Sequence, residues 1–218
     1  MKNVMKAVAA LMLMTVVVFV ATGFKKNDES ISGATGGGPS SFVDLGLPSG
    51  TLWAKWNVGA SSPQEVGDKF TWGETKKPKS GKSTEYTRDG QVLQSEDDAA
   101  TDNWGKNWRM PTKEEWQEMR NYCSREWTTE YGVNGCRVTG PNGNSIFLPH
   151  ASYWTATYGG NQYGASAYCG EVFYRPGGRG SFPNAETWAT YLHNAVRPVL
   201  KYTKDEYLMK SIEGQLDK

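Results

Sequence analysis

The order of apolar and polar residues divides the chain into a leader, a polar linker and a domain. An apolar run from Ala7 to Ala21 comes first, and the segment 27–41 then holds almost nothing able to bury apolar surface. Regular helical spacing and strand-like alternation begin after residue 42. The region 42–200 is long enough to form one hydrophobic core, and we expect a single domain there.

One helix is predicted in the middle of the domain, with its N-terminus at Thr112. Thr112 and Glu115 have the spacing of a capping box, in which each side chain accepts from the other residue's backbone N–H. The apolar side chains that follow at helical spacing are predicted to face the core. They are Trp116, Met119, Tyr122 and Cys123.

Two further segments carry helix-opening signals. Ser95 precedes three acidic residues, so we expect it to cap a helix whose dipole those acids complement. Thr203 and Glu206 form a second capping box, followed by apolar residues every fourth position at Leu208, Ile212 and Leu216. This pattern predicts an amphipathic C-terminal helix over 201–218, able to dock on the domain, to mediate association or to remain mobile.

Strand signals fill the rest of the domain. Alternation at Leu52, Ala54 and Trp56 predicts a half-buried strand, and the Gly-Pro-Asn-Gly turn at 140–143 predicts a hairpin over 136–149. Further strands are expected at 70–72, 153–157, 167–173 and 195–200. A few helices combined with many short strands predict an α+β domain.

The charge balance argues against a nucleic-acid partner. The chain has 24 Lys and Arg against 23 Asp and Glu, and Lys2 and Lys6 lie in the leader. Without the leader the net charge becomes slightly negative, whereas a polyphosphate ligand requires a clear positive excess.

The leader predicts export. Residues 1–23 have the layout of a signal peptide, with the small residues Ala21 and Gly23 before the expected cleavage point. Residues 24–41 then form a tether, which places the protein in the cell envelope, at the cell surface or in the periplasm. The segment is also similar to a bacterial lipoprotein leader, but Phe24 occupies the cysteine position, so no thioether-linked lipid can form there. How the leader or tether holds the protein to the envelope stays open.

Motifs that carry chemistry are not found. The only histidines, His150 and His193, lie in no metal-binding or nucleophile spacing, and no phosphate-binding glycine motif is present. The acidic run at 96–98 lacks the spaced oxygen ligands of a calcium loop. We therefore predict no catalytic residue, no metal and no cofactor.

The cysteines leave two alternatives. In an oxidising compartment Cys123 and Cys136 are candidates for a disulfide worth about 3 kcal/mol, and they are equally compatible with two buried thiols. Cys169 lies in strand-like sequence, where we expect a buried thiol.

A late segment has the composition of a binding surface. Between Ser152 and Ala195 the chain is dense in Tyr, Trp, Gly, Ser and Asn, as in antibody paratopes, and aromatic rings also stack on sugars. Within it, the glycine-punctuated stretches 158–166 and 174–191 are predicted to be exposed. We hypothesise that one shared ligand-binding surface is lined by Tyr158, Tyr163, Tyr174, Arg175, Trp188 and Tyr191.

Six ordered stretches resemble a known family. They are VDLGLPSGTLWAKWNVGA, FTWGET, EDDAATDNWGKNWRMPTKEEWQEM, GVNGCRVTGPNGNSIFLP, YWTAT and AVRPV. Together they resemble the Fibrobacter succinogenes major paralogous domain of exported Bacteroidetes proteins, over about residues 42–200. WRMPTKEEW and AVRPV are also similar to signatures of formylglycine-generating-enzyme-like domains. This implies a C-type-lectin-like fold, a twisted antiparallel sheet flanked by two helices with long loops.

The resemblance implies a noncatalytic, adhesin-like module that recognises a glycan or a surface protein. The calcium-binding tripeptide of lectins is matched only by Phe182-Pro183-Asn184, which lacks the acid, and Cys169 has no cysteine partner of the kind formylglycine-generating enzymes use. Related lectin-like domains are targets of diversity-generating retroelements, and the region 152–195 looks like such a variable region. The alternatives are an enzyme acting on surface polysaccharide and a structural or assembly subunit of a surface structure.

Overall fold

The computed structural model describes residues 42–75, 86–160, 165–175, 179–182 and 186–212. A 3₁₀ turn at Ser95–Asp97 precedes α1 (Ala99–Trp104), and the longer helices are α2 (Lys113–Tyr122) and α3 (Lys204–Ile212). The strands are β1 (Phe42–Asp44), β2 (Thr51–Ala54), β3 (Lys69–Phe70), β4 (Trp108–Arg109), β5 (Ser124–Glu130), β6 (Val133–Thr139), β7 (Ser145–Pro149), β8 (Ala151–Gly160), β9 (Ser166–Arg175), β10 (Arg179–Ser181), β11 (Glu186–Ala189), β12 (Asn194–Ala195) and β13 (Val199–Thr203).

The described strands form three sheets. One has the order β1-β2-β13-β4, a second has β10-β9-β8-β12-β3 with β11 also paired to β9, and a third has β5-β6-β7. Pairing is antiparallel except between β12 and β8, where Ala195 lies opposite Tyr153. The α+β class predicted from the sequence is confirmed.

The capping box of α2 is present as predicted. The Thr112 backbone N–H donates to Glu115 Oε2 at 2.8 Å, and the Glu115 N–H donates to Thr112 Oγ1 at 3.3 Å. Trp116 and Met119 are buried, as predicted. Tyr122 is 55% exposed, so the prediction that its side chain faces the core was wrong. Tyr122 is the last residue of the helix, where the chain turns into β5 and no element covers it.

The Ser95 cap was also wrong. Only a 3₁₀ turn begins there, and α1 is capped instead by Asp98, whose carboxylate accepts from the N–H groups of Ala100 and Thr101 at 2.8 and 3.0 Å. A carboxylate inside the acidic run serves as the cap because it sits directly before the first helical residue.

The hairpin around the Gly-Pro-Asn-Gly turn is confirmed as β6 and β7. The sequence did not predict β5, which pairs with β6 along its whole length through the two-residue turn Tyr131–Gly132. The strand at Leu52 and Ala54 is present as β2, but it is buried on both faces, because Leu52 and Ala54 pack in one hydrophobic cluster and Trp53 in another.

The closing segment is divided into two strands rather than one at 195–200. Asn194–Ala195 and Val199–Thr203 are separated by Val196, Arg197 and Pro198, and proline has no N–H to donate to a ladder. The second capping box then opens α3, with the Thr203 N–H donating to Glu206 Oε2 at 2.8 Å. Tyr207 of α3 is buried and contacts Phe42 edge-on at 4.9 Å, so the helix docks on the domain. Residues 213–218 lie outside the described residues.

The central β8–β9 sheet packs on both faces. On one face Gly170 leaves room for Trp116 of α2, whose ring stacks between Tyr153 and Phe182. On the other face Trp154 and Tyr158 pack in a second cluster with Trp72. None of the described helices is both long enough and apolar enough to span a bilayer.

Candidate functional site

Tyr158 does not belong to an exposed surface, and its place in the predicted set is corrected here. Its side chain is 1% exposed, and its ring packs against Trp72 at 5.4 Å and Tyr86 at 6.2 Å between centroids. The reason is that β8 continues to Gly160, so Tyr158 lies inside the ladder opposite Ala167 instead of in a loop. These three rings belong to one buried cluster, against which Trp188 is partly packed.

The structure does not describe the side chains of three members of the predicted set. Tyr163 lies outside the described residues, and the structure describes the backbones of Tyr174 and Arg175 in β9 but not their side chains.

The remaining two members lie close together at an edge of the sheet. Trp188 is on β11, opposite Ala167 of β9, and packs partly against the core. Tyr191 follows in the turn after β11 and is 74% exposed. The turn is held by the Thr190 N–H donating to Ala165 O at 3.1 Å, and the Thr190 carbonyl accepts from the Trp72 N–H at 3.0 Å. The exposed Tyr191 ring thus directly follows a residue whose backbone N–H and carbonyl are both hydrogen-bonded.

The strand register adds two carboxylates to this edge. Glu186 lies opposite Cys169 on β9, and Trp188 lies opposite Ala167, so Glu186 and Trp188 share one face of the sheet. Glu171 is two residues beyond Cys169 on β9 and therefore projects from the same face, diagonal to Glu186. We use the name β11 face for Glu171, Glu186 and Trp188 together with Tyr191, which lies in the turn that follows β11.

Glu171 is the unusual member of the β11 face. It is 6% exposed, and its buried Oε1 has no hydrogen-bond partner among the residues that the structure describes. Burial raises the pKa of the Glu171 carboxyl, and the nearby charge of Glu186 raises it further. A buried oxygen without a partner is costly in a folded protein and is a common mark of a ligand-binding position.

Sequence reasoning missed Glu171, although a signal was present. Residues 167–173 were predicted as a strand, and the positions of Ala167 and Cys169 identify its inward face. Glu171 continues that alternation, so it places a carboxylate where the period of two calls for an apolar side chain.

The acidic residues near α2 are used by the fold. Glu115 accepts both guanidinium arms of Arg109, at 2.6 and 2.7 Å. Burial by itself would raise the pKa of Glu115, but the hydrogen bonds and charge of Arg109 hold that pKa below its ordinary value. Asp98 accepts from the Met110 N–H at 2.8 Å in addition to capping α1. Burial raises the pKa of Asp98 in spite of these bonds.

The arginine of the AVRPV stretch is also structural. Arg197 is completely buried and donates to Asn57 Oδ1 at 2.7 Å and to the carbonyls of Ala54, Lys55 and Phe147 at 3.2, 2.9 and 2.9 Å. Burial lowers the pKa of Arg197 to about 10, so it remains a cation at neutral pH. One side chain thereby joins the end of β2 to β7 and to the closing segment.

Cys123 and Cys136 are free, buried thiols, which decides between the two alternatives for this pair. The β5–β6 register places Cys136 opposite Trp127, four residues beyond Cys123. At about 3.3 Å per residue this separates the two positions by roughly 13 Å along the strand, too far for a disulfide. Burial raises the pKa of Cys123 to about 11 and that of Cys136 to about 12.

Within the described ranges, no group of three or more His, Cys, Asp or Glu side chains has an arrangement that could hold a metal ion. No family model matches the chain, and no curated protein and no solved structure matches it either.

Proposed function

We propose that this protein is an exported, noncatalytic ligand-binding module that recognises a glycan or a surface protein at the cell envelope. The proposal includes a C-type-lectin-like fold and membership of the Fibrobacter succinogenes major paralogous domain family. It also includes a signal peptide at 1–23 and a tether at 24–41. The binding surface in this proposal is the β11 face, with the region 152–195 as its variable segment.

The observation that carries the proposal is the combination of the exposed Tyr191 ring and the partly exposed Trp188 with the buried Glu171 Oε1, which has no hydrogen-bond partner among the described residues. Sugar rings present C–H groups that stack on aromatic faces, and their hydroxyls donate hydrogen bonds to carboxylates. Trp188 and Tyr191 offer the first kind of contact, and Glu171 and Glu186 offer the second. An exposed main-chain or side-chain donor of a protein ligand would use the same acceptors.

The proposal is tested on glycan arrays and in pulldowns from envelope fractions. Tyr191→Ala and Glu171→Gln are the informative variants, and Tyr122→Ala on α2 is the matched control because it also truncates an exposed tyrosine. Truncation of an aromatic anchor at a binding site costs about 2 kcal/mol, or roughly a thirtyfold loss of affinity. Binding that is unchanged in both β11-face variants would remove the proposal.

One observation favours a second candidate, an enzyme acting on surface polysaccharide. Glycosidases use a pair of carboxyls, one kept protonated by its surroundings, and Glu171 with its raised pKa lies diagonal to Glu186. Release of reducing ends from envelope polysaccharide, abolished in Glu171→Gln and in Glu186→Gln, would favour this candidate over the binding module. Binding without any release would favour the module.

An assembly subunit acting through α3 has less support. The buried side chain of Tyr207 on this helix already packs against the domain. Assembly predicts a mass that rises with protein concentration and collapses on truncation at Lys201.

A further inference from the structure

The β11 face carries two carboxylates that have no cation beside them among the described residues. The ion pairs between described side chains use other acids, and neither Glu171 nor Glu186 takes part in one. The two side chains stand diagonally on neighbouring strands, near enough for the charge of Glu186 to raise the pKa of Glu171. Because like charges at this spacing repel each other, a cation bound between them would stabilise both.

Glu171 is the more unusual of the two carboxylates. Its side chain is 6% exposed, and its Oε1 has no hydrogen-bond partner among the residues that the structure describes. The strand alternation makes this carboxylate project from the same face as Glu186 and Trp188. A buried oxygen of this kind is costly to leave unsatisfied, and a donor from a ligand on the β11 face would satisfy it.

Aromatic surface lies beside the two carboxylates. Trp188 is two residues beyond Glu186 on β11, about 7 Å along the strand, and shares its face. Trp188 packs partly against the core cluster, and Tyr191 in the next turn is 74% exposed. The face of an aromatic ring attracts cations and also packs against methylene groups. The β11 face therefore combines a pair of carboxylates with an aromatic wall.

The number of carboxylates favours an organic cation over a metal ion. Calcium takes six to eight oxygen ligands, whereas no group of three or more metal-ligating side chains is found within the described ranges. Two carboxylates on neighbouring strands instead suit an ammonium group, whose three N–H donors can be divided between two acceptors. A guanidinium group is a planar fork that fits a single carboxylate better.

The burial of Glu171 indicates how the ammonium group is carried. An amino sugar bears this group directly on its ring, and a ring that stacks on the partly exposed Trp188 holds the group at the surface. Lysine carries it at the end of a flexible four-carbon stem, which can lie along the Trp188 ring while the charged head reaches inward. The geometry therefore favours a lysine side chain.

We propose that the β11 face binds a lysine side chain of a partner protein, with its stem against Trp188 and its ammonium group between Glu171 and Glu186. The lysine loses part of its hydration on binding, and the two carboxylates replace that hydration with charge-assisted hydrogen bonds. Tyr191 adds exposed contact area at the rim. This inference rests on the function proposed above and narrows its ligand to a protein with an accessible lysine.

The test uses two pentapeptides with blocked termini, Gly-Ser-Lys-Ser-Gly and the same sequence with Nε-acetyllysine. Acetylation keeps the stem and removes the charge. NMR titrations of the folded, isotope-labelled full chain should show saturable shifts of the Trp188 indole N–H, which Trp188→Phe assigns. The lysine peptide should bind about tenfold more tightly than the acetylated peptide.

Variants show whether the carboxylates hold the lysine. Glu171→Gln and Glu186→Gln should each weaken the lysine peptide by about tenfold and leave the acetylated peptide unchanged, because only the charged head contacts these residues. The matched control is Glu126→Gln, which neutralises an exposed carboxylate on β5 in another sheet and should change neither peptide. If Glu171→Gln alters the fold, the exposed Glu186→Gln decides the question.

Three outcomes would overturn the inference. Equal or absent binding of the two peptides would remove the charged contact, and so would an unchanged lysine preference in the folded glutamine variants. A glucosamine oligosaccharide that binds more tightly than the lysine peptide, and loses affinity in Glu186→Gln, would assign the site to a glycan amine.

Failure of this inference is distinguishable from failure of the proposed function. If neither peptide binds while a neutral array glycan binds in a manner that depends on Tyr191, only the lysine assignment is wrong. If no array glycan, envelope protein or peptide binds, the proposed function is wrong as well.

Discussion

Two neighbouring segments of the chain differ in whether the buried charged groups in or beside them have hydrogen-bond partners. Residues 194–203 run through the interior, and their only buried charge, on Arg197, has four oxygen partners. Residues 186–193 follow an edge of the sheet and expose Tyr191. They lie beside Glu171, whose buried Oε1 has no hydrogen-bond partner among the residues that the structure describes.

The difference separates residues that hold the fold from residues that are free to bind. Buried charged groups near α2 and in the closing segment have hydrogen-bond partners within the protein: Glu115 accepts from Arg109, and Arg197 donates to four neutral oxygens. Natural sequences depart from this rule mainly at functional sites. The departure at Glu171 is therefore the physical reason for proposing the β11 face as the binding surface.

The largest expected effect is at Arg197. Arg197→Met should destabilise the protein by about 4 kcal/mol, because three carbonyls and the Asn57 amide lose their donor in the interior. Urea unfolding followed by tryptophan fluorescence measures this loss. The exposed Arg88→Met is the control and should change the stability by less than about 0.5 kcal/mol. Similar effects of the two substitutions would mean that the hydrogen bonds of Arg197 do not stabilise the fold.

A smaller loss is expected at Glu115. Glu115→Gln should cost about 2 kcal/mol at pH 7, because the bidentate bond from Arg109 loses its charge. The native pKa of Glu115 is lowered from 4.5, so its contribution is present above pH 4.5 and is lost as the pH falls through that lower value. Unfolding curves of wild type and variant should therefore converge in acid. A difference that stays constant with pH would contradict the ion pair.

The sequence anticipated the interior better than the edge. The capping box at Thr112 and the turn at 140–143 rest on local chemistry, so both were predictable, whereas β5 carries mostly polar residues and becomes a strand only by pairing with β6. Tyr158 was misplaced because an aromatic residue among glycines has the same composition in a loop and at the end of a long strand. Trp188 and Tyr191 were proposed from composition alone. The alternation of residues 167–173 marked Glu171 as an inward carboxylate, but its position beside Glu186 and Trp188 required the strand register.

Glu171 should respond to pH in the opposite direction to Glu115, with a smaller amplitude. Its pKa is raised from 4.5. The contribution of the protonated Glu171 carboxyl to the free energy of unfolding is therefore fully present below pH 4.5 and is lost as the pH rises through the higher native pKa. Glu171→Gln mimics the neutral carboxyl and should be more stable than wild type at pH 7, by about 1 kcal/mol. Unfolding midpoints at pH 4 and pH 7 provide the comparison. A variant that is less stable than wild type at pH 7 would show that Glu171 is a partnered structural residue.

The smallest expected effect on stability, and the largest on binding, is at Tyr191. Tyr191→Ala should leave the free energy of unfolding within about 0.5 kcal/mol of wild type, because the ring has little to contact within the domain.

The most direct test titrates wild type and Tyr191→Ala with the array glycan or envelope protein that gives the strongest signal, using the same samples for unfolding. The account predicts equal unfolding curves together with a roughly thirtyfold weaker affinity for the variant. Superimposable binding curves would contradict it, and so would a loss of binding that is matched by a loss of stability.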